Sequence, residues 1–370
     1  MNSCTSSSKA HRRFALGLFA LVLGPVTVLF ALNLYLQPLS GDLTRVGAYA
    51  ENDFGWNDPQ LEFRQALFAR GAYDHHYDVV VLGDSFSLRA PQLAWQNYLV
   101  AAKGWSVITL DINETSLAQV LENPVFQKSP PRIFILETVE RELPRRIRNE
   151  QPCDARALPD SHAASASPLP KAVTIHEREL QGLAKPVERD TASRDIKLGY
   201  VRDYLWRSLQ RALFGKARVD AETVALVRNA PFSSSTKDAM LVYKKDFRKA
   251  KWWREMGVPQ MSCRIDRMRK QVEANGHTRF VLMVAPDKLT AYADFLRDKG
   301  LRNLSSLSEL SRTLPDVMPR LDSALISAIR KGEQDIYLPD DTHWGSSGYR
   351  IAAETLLSFL QRCAPQGRNI

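Results

Sequence analysis

The apolar positions near the N-terminus form one uninterrupted run. Residues 14–36 contain no charged side chain, and these 23 residues are enough to cross a bilayer as a helix. Lys9, Arg12 and Arg13 precede the run, which places residues 1–13 in the cytoplasm and the rest of the chain on the other side of the membrane. A cleaved signal peptide is the alternative, but its apolar region is normally shorter, and no cleavage site of small residues follows this run. We therefore expect a transmembrane signal anchor at residues 14–36.

Further along the chain, short apolar runs rich in β-branched residues alternate with helical patterns. Strand patterns cover residues 77–82, 105–110, 132–136, 279–285 and 334–338. Helical patterns cover residues 91–103, 115–122, 261–275, 287–299, 316–331 and 346–362. Runs that are apolar nearly throughout are typical of parallel strands buried on both faces. The alternation therefore predicts an α/β fold: a three-layer α/β/α sandwich with a five-stranded parallel sheet.

Two segments lie outside this alternation. Residues 37–74 are expected to form a linker and a packing helix over 59–70, because proline is favoured at a first helical position. Residues 151–260 are expected to be an insertion between the two parts of the α/β domain, 75–150 and 261–370. Its early part is rich in Ala, Ser and Pro and is predicted to be a mobile surface loop, followed by helices over 200–213 and 241–253. The insertion is therefore partly mobile and mostly helical.

The second of those helices carries the basic run VYKKDFRKAKWWR. The simplest interpretation is a solvated helix face above an apolar side anchored by tryptophans. The alternative is a binding site for an anionic glycan or a partner protein.

Composition narrows the class of partner. The chain has 370 residues, of which 44% are hydrophobic, so it can bury a substantial core. A formal net charge of +9 favours anionic partners. No signature of a nucleic-acid-binding fold is present in the sequence, and we expect no nucleic-acid partner. An anionic polysaccharide or a phospholipid surface fits the same charge.

The cysteines indicate no metal site, because none has a metal-ligand spacing to another Cys or His. With the predicted anchor, Cys4 lies in the cytoplasm, while Cys153, Cys263 and Cys363 lie where disulfides persist. Three is an odd number, so the pairing is left open.

The first chemical signal is the sequence VVVLGDSFS at residues 79–87. A buried strand that ends in Gly83, Asp84 and Ser85 delivers a serine to the carboxyl edge of a parallel sheet, where ligands bind in open α/β folds. N–H groups at the start of the following helix could stabilise an oxyanion there. The alternative is a plain helix cap, since Ser and Asp are common cap residues.

The second signal is LPDDTHWGSSG at residues 338–348. A serine nucleophile needs a base, and the base needs an acceptor that fixes its tautomer. His343 is the candidate base for Ser85. Asp341 and Asp340 lie two and three residues before it, and the spacing alone leaves the choice between them open.

Together these motifs resemble the SGNH (GDSL-type) hydrolase superfamily. The form DTHW followed by Gly, with VAPDK at residues 284–288, is most similar to the AlgX/AlgJ-related polysaccharide O-acetyltransferases. The likeness covers roughly residues 75–140 and 279–362. It implies a triad of Ser85, His343 and Asp341, with Asp340 as the alternative acid.

The oxyanion donors of that superfamily have no direct counterpart in this sequence. Candidates for oxyanion or substrate binding near the strand ends are Asp84, Asn113, Arg141, Lys288 and Trp344. For Arg141 the alternative is a surface pair with a glutamate. For Lys288 the alternatives are a contact with a substrate carboxylate or a place in the first turn of the next helix.

The resemblance implies acetyl transfer to an exported polysaccharide through an acetyl-Ser85 intermediate, with no cofactor or metal. Because acetyl-CoA is cytoplasmic, it also implies a multi-pass membrane acyltransferase as donor partner. The expected location is the inner (cytoplasmic) membrane, with the catalytic domain in the periplasm. A carbohydrate esterase with the same triad, or a non-catalytic scaffold or glycan-binding component of a secretion complex, is the alternative. The polymer and the oligomeric state are left open.

Overall fold

The computed structural model describes residues 8–36, 39–149, 173–191, 195–227 and 231–362. The strands within them are β1 Gln60–Phe63, β2 Ala69–Arg70, β3 Val79–Gly83, β4 Val107–Asp111, β5 Ile133–Val139, β6 Ala184–Val187, β7 Ala221–Ala225, β8 Ala239–Tyr243 and β9 Arg279–Ala285. The α-helices are α1 Ser8–Leu36, α2 Asp42–Gly47, α3 Glu51–Phe54, α4 Ser85–Leu88, α5 Trp95–Lys103, α6 Leu117–Glu122, α7 Pro124–Lys128, α8 Leu143–Arg146, α9 Glu177–Leu180, α10 Leu198–Phe214, α11 Lys244–Glu273, α12 Lys288–Ala291, α13 Leu307–Thr313, α14 Leu321–Arg330 and α15 Ser346–Arg362.

Five strands form the central sheet in the order β2-β4-β3-β5-β9, and all of its pairs are parallel. The predicted five-stranded parallel sheet and the mixed α/β class are therefore confirmed. Two small antiparallel sheets, β1 with β6 and β7 with β8, lie outside it. Because every strand of the central sheet points the same way, the loops after β3, β4, β5 and β9 emerge at one edge.

The two faces of the sheet pack against different apolar clusters. Side chains of a strand alternate between faces, so Val79 and Val81 join one cluster while Val80 and Leu82 join the other. The first cluster also contains residues of α5, α14 and α15, and the second contains residues of α6, α7, α11 and α13. Both faces are thus covered by helical residues, and β3 is fully buried between them.

Residues 59–70 form β1 and β2 rather than the expected helix. β2 is the fifth strand of the sheet and has only two residues, paired with β4 at its edge. In place of the expected strand over 334–338, the structure has a hairpin in which Tyr337 bridges Trp344. Its hydrogen bonds run within the loop, from Leu338 N to His343 O and from Gly345 N to Ile336 O, so the segment does not join the sheet.

The insertion contains α10, close to the helix expected over 200–213, and the small β7–β8 sheet. The loop predicted to be mobile lies largely outside the described residues. The basic run begins on β8 and continues into α11, which bends at Gly257, where φ is +71°. Lys249 of this run is completely buried, so the basic run is not solvated along its whole length as predicted. Cys263 of α11 is disulfide-bonded, and Cys4, Cys153 and Cys363 lie outside the described residues.

Among the described residues, one helix is long and apolar enough to cross a membrane: the stretch Lys9–Leu36 of α1. None of its most apolar window is buried against the rest of the chain. This agrees with a single-pass anchor and equally with a signal sequence.

Candidate active site

Ser85 lies at the point where β3 ends at the carboxyl edge of the sheet. Gly83 permits this turn because a Cβ there would come within 2.7 Å of the Ser87 hydroxyl and 3.0 Å of Glu137. Asp84 caps α4 by accepting from Phe86 N at 3.1 Å. The Ser85 side chain itself is exposed.

Asp84 and Glu137 fasten this turn to the neighbouring strand. Asp84 accepts a hydrogen bond from Val139 N at 2.8 Å, and Glu137 accepts from Asp84 N at 3.0 Å and from the Ser87 hydroxyl at 2.7 Å. Burial and the nearby Asp84 carboxylate raise the pKa of Glu137 well above its usual value. Asp84 therefore shapes the turn that presents Ser85, which is a different place from the substrate-binding one predicted for it.

His343 is held by the hairpin that replaces the expected last strand. Lys288 is buried beneath this loop and donates to three of its backbone carbonyls, those of Leu338 at 2.9 Å, Pro339 at 2.9 Å and Asp341 at 3.2 Å. Burial lowers the pKa of Lys288 to about 8. Lys288 is the first residue of α12, in the first helical turn as one interpretation from the sequence had it, and from there it fixes the shape of the loop.

Trp344 closes the same loop from the apolar side. Its indole is completely buried and packs edge-on against Phe86, with ring centroids 4.8 Å apart, and against Tyr349 at 5.4 Å. The Phe86 ring also lies 4.8 Å from the His343 ring. Trp344 therefore supports the position of the imidazole from below and does not line the cavity above Ser85.

The two distant motifs meet above the sheet. His343 Nε2 lies 2.8 Å from Ser85 Oγ, although 258 positions separate the residues in the chain. On the other side of the ring, His343 Nδ1 lies 2.7 Å from Asp341 Oδ1. A hydroxyl, an imidazole and a carboxylate in this order form a proton-transfer chain of the kind that activates a serine.

The structure distinguishes the two candidate acids. Burial alone would raise the pKa of Asp341, but contacts with His343 and Arg89 outweigh it and hold this pKa well below the usual range. Burial, together with the nearby carboxyl group of Glu51, instead raises the pKa of Asp340 well above the usual range. Asp341 is thus the carboxylate at the imidazole, in the place that the resemblance implies.

Two residues that the sequence did not suggest complete this charge arrangement. Arg89 follows Ser85 by one helical turn and approaches Asp341 Oδ2 at 3.3 Å. It also forms an ion pair with Asp42, from the segment that follows α1. The spacing of four residues from Ser85 was a usable signal for Arg89, since residues one turn apart share a helix face. Nothing in the local pattern around Asp42 indicated its contact.

Asp42, Asp341 and His343 each offer one ligand atom, and these atoms lie within 4.8 Å of one another. A metal ion could use such a spacing. In this structure the guanidinium of Arg89 lies against both carboxylates and supplies the positive charge there.

A cavity of about 470 Å³ opens above Ser85 and His343. Three arginines contribute to its lining, Arg45, Arg89 and Arg141, together with Tyr243. Of the predicted oxyanion or substrate residues, Arg141 therefore reaches the cavity. Asn113 does not line it: this residue is exposed, bonds to Asp111 at 2.8 Å and accepts from Arg146 at 3.4 Å.

Arg141 is positioned by a buried ionic network, defined here as Glu140, Arg141, Asp246, Lys249 and Asp287. Arg141 donates to Asp287 at 2.6 Å and to Asp246 at 3.3 Å. Lys249 contacts Glu140 and Asp287, both at 3.0 Å. Burial would lower the pKa of Arg141, but Asp287 and Asp246 outweigh it and raise that pKa, so the side chain is a permanent cation. The predicted surface pair of Arg141 with a glutamate is absent from these contacts.

A scan against protein-family models matches residues 236–369 to the family described as SGNH hydrolase-like domain, acetyltransferase AlgX. These residues are similar to the AlgX-related SGNH family. The resemblance inferred from the sequence motifs is thereby confirmed. The match covers somewhat more than a third of the chain and includes Lys288, Asp341 and His343, whereas Ser85 precedes it.

Searches of curated proteins and of solved structures return no significant match. The AlgX-related domain thus indicates an acetyltransferase or esterase type of role. The finer assignment depends on the geometry around Ser85.

Proposed function

We propose that this protein is a membrane-anchored O-acetyltransferase that modifies an exported polysaccharide through an acetyl-Ser85 intermediate. The observation that carries the proposal is the pair of contacts on His343, 2.8 Å to Ser85 Oγ and 2.7 Å to Asp341 Oδ1. These groups stand at the carboxyl edge of the parallel sheet, in what we take to be a three-layer α/β/α sandwich. The AlgX-related match over residues 236–369 supports the same assignment.

The reaction has two symmetrical halves. In the first, His343 Nε2 accepts the Ser85 proton as Oγ attacks the acetyl carbonyl of the donor, and it then passes this proton to the departing group. In the second, His343 accepts the proton of a sugar hydroxyl, which attacks the acetyl-Ser85 carbonyl, and returns the proton to Ser85. Asp341 stabilises the imidazolium in both halves.

Arg141 is the proposed cationic donor for the oxyanion of each tetrahedral intermediate. It lines the cavity with Ser85, and the buried ionic network fixes its guanidinium before substrate binds. A preorganised donor of this kind costs no reorganisation during the reaction. The three arginines of the cavity also suit an acceptor polysaccharide that carries carboxylates.

The proposed arrangement at the membrane follows from the compartment that contains the acetyl donor. Acetyl-CoA is cytoplasmic, whereas Lys9, Arg12 and Arg13, which precede the apolar run inside α1, favour a domain on the periplasmic side of the inner membrane. A multi-pass membrane acyltransferase is the proposed partner that hands acetyl groups outward to Ser85.

Replacing Ser85 with Ala tests the proposal. Purified full-length protein is incubated with an acetyl ester donor and oligosaccharides, and both acetylated sugar and free acetate are measured. We expect Ser85→Ala to lose acetyl transfer by about 10³-fold or more, because the nucleophile is removed. Ser323→Ala, on an exposed position of α14, is the matched control and should retain full activity.

The products separate the alternatives. Acetate release without sugar acetylation would indicate a carbohydrate esterase that uses the same triad. Unchanged polymer acetylation in Ser85→Ala, together with no labelling of Ser85 in the unsubstituted chain by a serine-directed phosphonate, would refute catalysis and favour a scaffold or glycan-binding role.

A further inference from the structure

Several apolar side chains of helix α10 are exposed on the outer face of the helix. Leu198, Leu205, Trp206, Leu209 and Leu213 share one face of the helix, and each is between 43% and 65% exposed. We call these five residues the α10 stripe. A helix on the surface of a soluble domain normally turns such a face inward. The α10 stripe is therefore an apolar surface that the described part of the chain leaves open.

The opposite face of α10 holds the helix firmly to the domain. The Tyr200 hydroxyl lies 2.8 Å from both Thr44 O and Tyr49 O, which share its one proton as acceptors, and Arg211 donates to Gly47 O and to Ala48 O. These polar contacts fix the rotation of α10 about its axis. These contacts therefore keep the α10 stripe facing outward.

The end of α1 contacts the start of α10. Asn33 donates to Asp195 O at 3.0 Å and accepts from Lys197 N at 2.8 Å. Leu36 of α1 and Val201 of α10 are buried in one small cluster. Leu29 lines a groove together with Trp206 and other residues of the stripe, so the exposed surface of α1 continues directly onto α10.

The length of α1 places this junction at the level of the membrane surface. About 20 helical residues span the hydrocarbon core of a bilayer. Counted from Phe14, the first residue after Arg13, that length ends near Asn33. The α10 stripe therefore starts where the hydrocarbon core ends, on the side of the folded domain.

We infer that the α10 stripe binds the phospholipid bilayer that α1 crosses, as an interfacial helix lying along its surface. Interfacial helices bury one apolar face into the boundary between headgroups and acyl chains, and Trp206 is the residue type favoured at that depth. Lys197, Arg202 and Lys216 are exposed near the stripe and can reach anionic headgroups. The inference requires α1 to span the membrane, but it does not require acetyl transfer.

Bilayer contact at α10 would also fix the height of the cavity above the membrane. α2 receives the hydrogen bonds from Tyr200 and Arg211, and the same helix supplies Arg45 and Val46 to the lining of the cavity. A bound α10 thus holds Ser85 at a constant distance and orientation relative to a donor in the membrane.

The fluorescence of Trp206 itself can test whether the α10 stripe binds the bilayer. The full-length chain is reconstituted in vesicles of phosphatidylcholine and phosphatidylglycerol, with or without lipids brominated near the top of the acyl chain. The difference in fluorescence emission between the unsubstituted chain and the Trp206→Phe variant is the contribution of Trp206. We expect brominated lipid to lower this contribution about twofold or more, because interfacial helices bury their apolar face among the upper acyl carbons.

Trp252→Phe is the matched control, since Trp252 lines a groove beside Pro144 and Arg264, away from the stripe. Its contribution should not change with brominated lipid. Leu213→Trp is introduced into the Trp206→Phe chain and moves the tryptophan to another position of the α10 stripe. If the Trp206→Phe variant folds, quenching by brominated lipid should be restored.

Two results would overturn the inference. Trp206 emission that resists brominated lipid but is quenched by aqueous iodide would place the stripe in water. Emission that resists both quenchers would show the stripe covered by protein, such as a second copy of this chain. None of these outcomes depends on activity, so failure here leaves the proposed function untouched.

Discussion

Neighbouring aspartates in one loop meet opposite electrostatic environments. The carboxylate of Asp341 lies against His343 and Arg89, and these contacts overcome the effect of burial and keep its pKa well below the usual range. Burial and Glu51 instead raise the pKa of Asp340 well above the usual range. The surroundings of Asp341 therefore favour its ionised form, whereas those of Asp340 favour its protonated form.

This difference predicts that the same substitution has unequal effects at the two positions. Asp341→Asn removes the charge that stabilises the imidazolium and lets the amide favour the wrong tautomer of His343, so turnover of a small acetyl ester should fall about 10³-fold or more. Asp340→Asn places a neutral amide of the same shape where the surroundings already favour a neutral carboxyl group. We expect it to change turnover by less than about threefold, since a neutral hydrogen-bonding group is retained.

The comparison is made at equal concentrations of folded protein, with circular dichroism as the check on folding. An equal loss of turnover in both variants would contradict the assignment of Asp341 as the acid. It would indicate that the loop as a whole, rather than one carboxylate, controls His343.

At the scale of elements, α11 shows how a basic run can be partly buried. Asp246, Lys249 and Trp253 recur at helical spacing and point inward, whereas Lys251 between them is exposed. Burial would lower the pKa of Lys249, but Asp287 and Glu140 outweigh it and raise that pKa, so its ammonium group stays charged in the interior. The buried ionic network therefore joins α11 to the ends of β5 and β9.

Lys249→Met should destabilise the protein strongly because it leaves the buried Glu140 without its ion-pair partner and Asp287 with Arg141 alone. Breaking a buried ion pair by removing one member typically costs about 3–5 kcal/mol. Lys251→Met, two residues away, should change the free energy of unfolding by no more than about 1 kcal/mol, since exposed ion pairs contribute little. Urea denaturation of both variants measures the difference.

A second measurement links the network to the site. Arg141 shares Asp287 with Lys249, so destabilisation of the network should also reduce turnover at temperatures where Lys249→Met is still folded. Equal urea midpoints for the two lysine variants would show that the interior tolerates Glu140 without its ion-pair partner.

The same elements show which features of the sequence were sufficient for prediction. Four strands of the sheet were found because fully buried strands are apolar throughout, and β3 carries that pattern directly into Ser85. β2 was missed because two residues are too short for any periodicity. The 334–338 segment resembled a strand, but Asp335 adopts a positive φ of 51° and the hydrogen bonds of the segment close a hairpin instead.

Within the site, the residues that carry recognisable motifs were found and those held by remote contacts were not. Ser85, Asp341 and His343 stand in loops with distinctive local sequence. Asp42 meets Arg89 only because the segment after α1 folds back across the C-terminal loop, and no local pattern encodes such a contact. The role of Lys288 was missed for a related reason: its three acceptors are backbone carbonyls, which leave no side-chain signature.

At the scale of the whole molecule, the segment that follows α1 is part of the site. Leu43 N donates to Asp340 O at 2.9 Å, and Asp42 N approaches Asp341 Oδ2 at 3.4 Å, although 299 positions separate these last two residues. The chain therefore runs from its predicted anchor directly onto the loop that holds His343. Hydrogen bonds therefore hold the described residues 41–43 against the loop that carries His343.

Gly41 makes this approach possible, and replacing it tests how tightly the two ends are coupled. A Cβ on Gly41 would overlap the backbone oxygen of Asp340, so Gly41→Ala must push the two segments apart. The φ of Gly41 is −78°, which alanine adopts freely, so the effect comes from the contact and not from backbone strain. A displacement near 1 Å at a reacting group costs up to about 10²-fold in rate, and we expect a loss of turnover of at least roughly tenfold.

Gly199→Ala is the matched control, because a Cβ at Gly199 would meet nothing within 4 Å. It should leave the turnover of a small acetyl ester unchanged. The thermal midpoints of both variants are measured alongside, since overpacking costs about 1–3 kcal/mol on its own and would lower stability only moderately. If Gly41→Ala retained full turnover, the segment after α1 would be shown to yield without moving His343, and the predicted coupling between the anchor and the site would be wrong. A large loss of turnover with a small loss of stability is the combination that this coupling requires, because the contact lies on the loop that holds the base and not in the apolar core.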